Sequence, residues 1–142
     1  MEQMDEIKLT SDPKNLKVIA DFVGKILKKR KIKSDIIEEI LLAVDEAATN
    51  IIKHSYQEKT DGNIKLILET GPDKIAVSIF DNGITFRPED VPLPVLSKDI
   101  DNRRPGGLGI FLMKKFMDDV TFYFKGTSGR DFNEVRMVKY LN

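Results

Sequence analysis

The feature that most limits how this chain can fold is a single change in the spacing of its apolar residues. Up to about residue 54 they recur every three or four positions: Leu16, Ile19, Ala20, Val23, Ile26 and Leu27, then Ile37, Ile40, Leu41, Val44, Ala48 and Ile51. That spacing puts each set on one face of a helix. After the polar stretch Gln57–Gly62 the period drops to two, with Ile64, Leu66 and Leu68 followed by Ile75, Val77 and Ile79. Such alternation belongs to strands with one buried face, and Gly71-Pro72-Asp73 between the runs turns them into an antiparallel hairpin.

Local signals set the boundaries. Glu6 to Thr10 reads as a short strand. Asp12-Pro13 offers an N-cap acceptor followed by proline, so the first helix starts there and runs to about Arg30. Ser34 can cap the second helix, with Asp35, Glu38 and Glu39 in its positive first turn, and this helix extends to about His54. From Asn82 to Gly107 periodicity vanishes, and Pro88, Pro92, Pro94 and Pro105 fall inside the stretch. An aperiodic segment of this length within a compact domain is characteristic of a functional lid, here about residues 84–107. Leu108 to Met117 returns to helical spacing, and Val120–Lys125 and Phe132–Leu141 flank a turn at Gly126–Gly129. Strands and helices in this order predict an α+β fold: a two-layer sandwich with helices on one face of a mixed, mostly antiparallel sheet. Residues 1–142 are read as one domain, the size that a single core supports.

Composition removes several classes of function. Lys plus Arg and Asp plus Glu each number 23, so charge gives no reason to expect nucleic acid or an anionic membrane. The basic run Lys28-Lys29-Arg30-Lys31 is read as a solvated helix terminus. Without cysteine there is no disulfide framework, thiolate nucleophile or thiolate zinc site. The acidic first residues lack the apolar core of a signal peptide, and no apolar run approaches the roughly 18 residues of a membrane span. A soluble cytoplasmic protein is the expectation.

Three groups of residues carry possible chemistry. Glu46 and Asn50 lie four apart on the second helix and share a face with Ala43 and Ala47, whose small size leaves room for a ligand. An amide oxygen can hold a hard cation, and a carboxylate can take a proton from a nucleophile. On spacing alone, an ordinary polar helix face explains the pair better. Asp81-Asn82-Gly83 stands where an apolar strand stops. A buried aspartate there needs donors, such as a ligand's exocyclic amine, and glycine permits close approach; a simple turn uses the same residues. Gly106-Gly107-Leu108-Gly109 directly precedes a helix, whose free N–H groups and dipole favour phosphate. A glycine hinge is the competing explanation, and neither P-loop nor Rossmann spacing is present. The only histidine, His54, one turn beyond Asn50, is read as a cap or packing residue, and Phe22, Phe111 and Phe116 as packing.

Taken in order, Glu46-Ala-Ala-Thr-Asn50, Asp81-Asn-Gly83 and Gly107-Leu-Gly109 resemble the N box and two glycine boxes of the GHKL ATPases, the Bergerat-fold superfamily. Within it, the stretch VDEAATNIIKHSY and the helix that follows Gly109 are similar to the anti-sigma factors, serine-protein kinases of the RsbW type. The resemblance implies ATP and Mg²⁺ as cofactors. Asp81 would accept from the adenine amine and Gly83 would shape the base pocket. Asn50 would ligate magnesium, and Gly106, Gly107, Leu108 and Gly109 would wrap the phosphates. Arg103 and Arg104 would add positive charge at the γ-phosphate, and Glu46 would be general base toward a substrate serine. Phosphoryl transfer of this kind needs positioning, a metal and charge stabilisation above all.

The chain departs from the superfamily pattern at Thr85, where many members have a second glycine, and at Asn133, where many carry a threonine. Asn133 keeps the capacity to hydrogen-bond a nucleotide. The implied partners are an anti-anti-sigma protein of the STAS type and a sigma factor, with a homodimer as the working unit and no direct contact with nucleic acid or membrane. The alternative is an ATP-gated protein-binding regulator without kinase activity.

Overall fold

A computed structural model describes residues 2–85 and 107–141. Its elements are β1 (Gln3–Thr10), α1 (Asn15–Lys29), α2 (Ser34–Asn50), a π-helical turn (Ile51–Ser55), β2 (Asn63–Thr70), β3 (Lys74–Asp81), α3 (Gly107–Phe116), β4 (Asp119–Tyr123) and β5 (Asn133–Tyr140). The change of apolar period falls where predicted, between the π turn and β2.

The five strands form one sheet in the order β1-β2-β3-β5-β4. Among the described residues every pairing is antiparallel, the predominant arrangement expected, and no parallel pair occurs. The reason is topological. The chain returns from β3 through α3 to β4, which runs parallel to β3, but the β4–β5 hairpin puts β5 between them and sends β4 to the edge.

The helical stripes and the inward residues of the strands meet in one core. Ile19, Val23 and Leu27 of α1, Ile40, Val44 and Ala48 of α2, Leu66, Val77, Ile79 and Met137 of the sheet, and Met113 of α3 are all buried in it. A side chain of this size contributes about 1.5–3 kcal/mol on burial, so the two layers are held mainly by this seam. The opposite face of the sheet mixes polar side chains such as Glu69, Ser78 and Arg136 with apolar ones such as Phe80 and Val138. There Arg136 donates to Ser78 Oγ and pairs with Glu69 at 3.3 Å, covering the small outward residues Ala76 and Ser78 of β3.

Two local expectations need correction. Ser34 does not cap α2: the N-cap is Lys33, without a side-chain hydrogen bond, and Asp35 Oδ1 instead accepts from the Ile36 N–H. The basic run is not simply solvated. Arg30 donates through Nε to Thr70 Oγ1 (3.1 Å) and through Nη2 to the Thr70 carbonyl (3.3 Å), tying the end of α1 to the end of β2. Beyond Arg30 the chain turns through Lys31 at φ 61°, with Ile32 N–H reaching back to the Leu27 carbonyl, the bond that satisfies a helix C-terminus.

Candidate functional site

The sheet's middle strands and the end of α2 enclose a cleft. It is lined by Ala47, Asn50 and Ser55 from the α2 side, Asp81 from β3, Asn133 and Val135 from β5, Tyr123 from β4, and Met113 from α3. Three of the site residues expected from the sequence therefore meet here: Asn50, Asp81 and Asn133. Glu46, one turn back from Asn50, is half-buried and does not line the cleft among the described residues. Ala47 borders the cleft as anticipated, whereas Ala43 belongs to the core.

Asn50 is 2 % exposed, and neither Nδ2 nor Oδ1 has a hydrogen-bond partner among the described residues. A buried amide without partners costs on the order of 1–3 kcal/mol, so such a group points to something outside the chain that satisfies it. Directly after Asn50 the helix widens into the π turn, closed by Tyr56 N–H to the Ile51 carbonyl at 3.0 Å. A regular helix would stack His54 over Asn50. The i→i+5 spacing substitutes Ser55, which lines the cleft with Asn50. His54, half-buried, has its pKa lowered first by burial and then by the Lys53 charge, in keeping with a packing role.

Asp81 is 4 % exposed at the end of β3. Its Oδ1 accepts from the Gly83 N–H and from Asn133 Nδ2, each at 3.0 Å. Burial raises its pKa, opposed in turn by the hydrogen bonds from Asn133, Gly83 and Ser55 and by the charge of Lys125. Asn133, paired with Asp81 across the β3–β5 ladder, is fully engaged. Its Nδ2 also donates to the Gly83 carbonyl (3.2 Å), while its Oδ1 accepts from Lys125 N–H (3.0 Å) and Thr85 Oγ1 (3.1 Å).

The loop Asp81-Asn82-Gly83 is gripped from the α2 side as well. The Ser55 carbonyl accepts from the Ile84 N–H at 2.8 Å, and Tyr56 Oη accepts from the Asn82 N–H at 2.8 Å while donating to the Asn63 carbonyl. A Cβ on Gly83 would lie 2.3 Å from the Ser55 carbonyl oxygen. The close approach that makes glycine necessary here is therefore to the π turn, where the sequence had pointed to a ligand. From the other side, Lys125 Nζ donates to the Asn82 carbonyl at 3.1 Å.

Ser55, Tyr56 and Lys125 were not singled out from the sequence. Only Tyr56 left a local trace, because a Cβ on Gly62 would collide with its ring. Gly107, Leu108 and Gly109, expected to lie just before the helix, form the first turn of α3. Arg103, Arg104, Gly106 and the lid from residue 86 to 106 lie outside the described residues.

Glu46 shows a further electrostatic feature. Burial raises its pKa first, the neighbouring Asp45 raises it further, and Lys53 opposes both. A carboxyl shifted in this direction is a better proton acceptor near neutral pH than an ordinary one.

A model of the histidine kinase-like ATPase domain matches residues 9–139. The chain belongs to the histidine kinase-like ATPase family, in its RsbW serine-protein kinase branch. It is 37% identical over 111 residues to the serine-protein kinase RsbW of Listeria innocua, covering 75% of this chain and 67% of that protein. With the RsbW of Bacillus velezensis it shares 28% identity over 141 residues, covering 96% of this chain and 85% of the relative. A crystal structure of the RsbU and RsbW domains of a Mycobacterium tuberculosis protein superposes with a TM-score of 0.65. That match covers 96% of this chain and 31% of the other at 12% identity, so it speaks to the fold alone. The cleft of this RsbW-type domain thus sits in an ATPase fold, and no helix among its described residues is long and apolar enough to cross a membrane.

Proposed function

We propose that residues 1–142 form one ATP-binding kinase domain, which uses Mg-ATP to phosphorylate a serine of an anti-anti-sigma protein of the STAS type. In doing so it would switch between that protein and a sigma factor. The observation that carries this reading is Asn50, a carboxamide 2 % exposed with both polar atoms unpartnered, in the same cleft as a buried carboxylate. An amide oxygen suits magnesium, which takes few protein ligands and completes its shell with phosphates and water. When bound, the ion supplies charge stabilisation at the transferring phosphoryl group.

The protein's own groups divide the remaining tasks. Asp81, held on Oδ1 by Gly83 and Asn133, offers acceptor capacity to the exocyclic amine of adenine. Gly106, Gly107, Leu108 and Gly109 bring N–H groups and a helix N-terminus to the phosphates, with Arg104 adding charge. Glu46 takes the proton of the attacking serine hydroxyl. As that oxygen bonds to the γ-phosphorus, the bond to the β-phosphate oxygen breaks and ADP leaves. By the likeness to its family the domain works as a homodimer in the cytoplasm.

One observation favours a second reading. Glu46 stands outside the cleft lining, so an ATP-gated binding regulator without phosphotransfer fits the described residues too. Glu46→Gln separates the two. For the kinase, it leaves ATP affinity intact and lowers phosphate transfer to the partner serine by about 10²–10⁴-fold. Transfer at the wild-type rate in this variant removes Glu46 as the base. No phosphoprotein from the wild-type domain with labelled ATP and partner establishes the pure binder.

A further inference from the structure

Asn133 has no spare hydrogen-bonding capacity for a nucleotide. A carboxamide has two N–H donors and two acceptor lone pairs. All four are used within the chain: Nδ2 on Asp81 Oδ1 and the Gly83 carbonyl, Oδ1 on the Lys125 N–H and Thr85 Oγ1. These partners come from three separate segments: the end of β3, the loop after it, and the chain leaving β4. A threonine, with one hydroxyl proton and no amide, could not span them.

Resting on the reading of Asp81 as the base-recognising carboxylate, we propose that Asn133 is a positioning residue that sets the chain's preference for a nucleobase with an exocyclic amine, acting wholly through Asp81. The donor of Asn133 and the Gly83 N–H both occupy Oδ1, which fixes the plane of the carboxylate and keeps its charge stabilised in a buried setting. The Gly83 carbonyl bond holds the following loop in register with β5, and the Lys125 and Thr85 bonds hold the carboxamide itself against rotation. Asp81 is thereby presented as a rigid acceptor. With Asn133 removed, Oδ1 loses one of its two donors, and the carboxylate is free to turn or take up a proton.

The test compares ATP with purine riboside triphosphate, which differs only in lacking the exocyclic amine, on wild type and on the near-isosteric pair Asn133→Thr and Asn133→Val. Binding of both nucleotides is measured with magnesium by titration calorimetry. A hydrogen bond to a charged group gives a wild-type preference for ATP of about 10–100-fold. Asn133→Val should reduce that preference to about 3-fold or less through weaker ATP binding. Its affinity for the amine-free analogue should stay within about 3-fold of wild type. Asn133→Thr, which keeps one donor for Asp81, should retain a preference well above that of the valine variant. If both nucleotides weaken by the same factor and the preference survives in Asn133→Val, the residue is only structural and the inference falls. Equal preferences in the threonine and valine variants overturn it as well. A wild type that binds the two nucleotides equally refutes the Asp81 reading first, and the positioning role with it.

Discussion

Two carboxamides are buried in the same cleft, and they are in opposite states. Asn50, on the last turn of α2, is 2 % exposed with no hydrogen-bond partner among the described residues. Asn133, at the start of β5, is 7 % exposed and makes four hydrogen bonds. Burial of an amide is tolerable when its bonds are made within the chain, and costly when they are not. The difference teaches which groups are scaffold and which await a ligand. Asn133, Ser55 and the Gly83 backbone build a rigid frame around Asp81, whereas Asn50 holds unspent capacity. A site of this kind places its destabilising group where binding repays it.

The sharpest way to break this comparison is Asn50→Ala. Phosphotransfer should fall by about 10²-fold or more, the upper range for disturbing a metal's protein partners. Thermal stability should hold or rise, because no intramolecular bond is lost. A drop in melting temperature with transfer unchanged would reverse the roles assigned to the two amides. Next in size is Gly83→Ala. The added Cβ meets the Ser55 carbonyl oxygen at 2.3 Å, and the backbone of the π turn cannot swing aside as a flexible side chain would. Destabilisation of about 1–3 kcal/mol, read from a urea melt, is expected for such overpacking. Equal stability would mean that the loop is not clamped as described.

Asn133→Ala should cost about 1–3 kcal/mol of stability in the same melt, since it strands buried partners of a filled network. The contrast with a neutral or stabilising Asn50→Ala is the quantity that matters, and similar effects at the two positions would erase it. The smallest effect is that of pH. Burial raises the pKa of Asp81, so the folded chain binds its proton more readily than the unfolded one. Its contribution to stability is therefore fully present below the ordinary carboxylate range and declines as pH rises through the raised value. ATP affinity should move the other way, because the ionised carboxylate is the better acceptor. Loss of ATP binding on acidification should begin at higher pH in Asn133→Ala, which lacks one of the bonds that hold the Asp81 pKa down. Binding titrations at a series of pH values measure both curves.

Much of the fold was legible along the chain because helices and strands answer to local periodicity. The stripes Ile19, Val23, Leu27 and Ile40, Val44, Ala48, and the alternation Ile64, Leu66, Leu68, are the residues that form the core. The α3 helix was legible from Leu108 onward, and it starts one residue earlier, at Gly107. Of the cleft, Asn50, Asp81 and Asn133 were named from the order of the three motifs together, because spacing alone left Asn50 on an ordinary polar helix face and Asp81 in a simple turn.

What the sequence could not decide is what depends on contacts between distant segments. Asn133 and Asp81 lie 52 positions apart and meet only because β5 inserts beside β3, a choice of strand order that no local period records. The exchange of His54 for Ser55 on the cleft face came from one widened turn, which a 3.6-residue period hides. The need for glycine at position 83 was visible, but its cause was not, because the Ser55 carbonyl reaches it from the end of α2. Local propensity and apolar spacing thus determined the elements and their buried faces. Only the packed structure decided which polar groups are paired within the chain and which are left for a ligand, because hydrogen bonds join atoms in space and leave no pattern in sequence order.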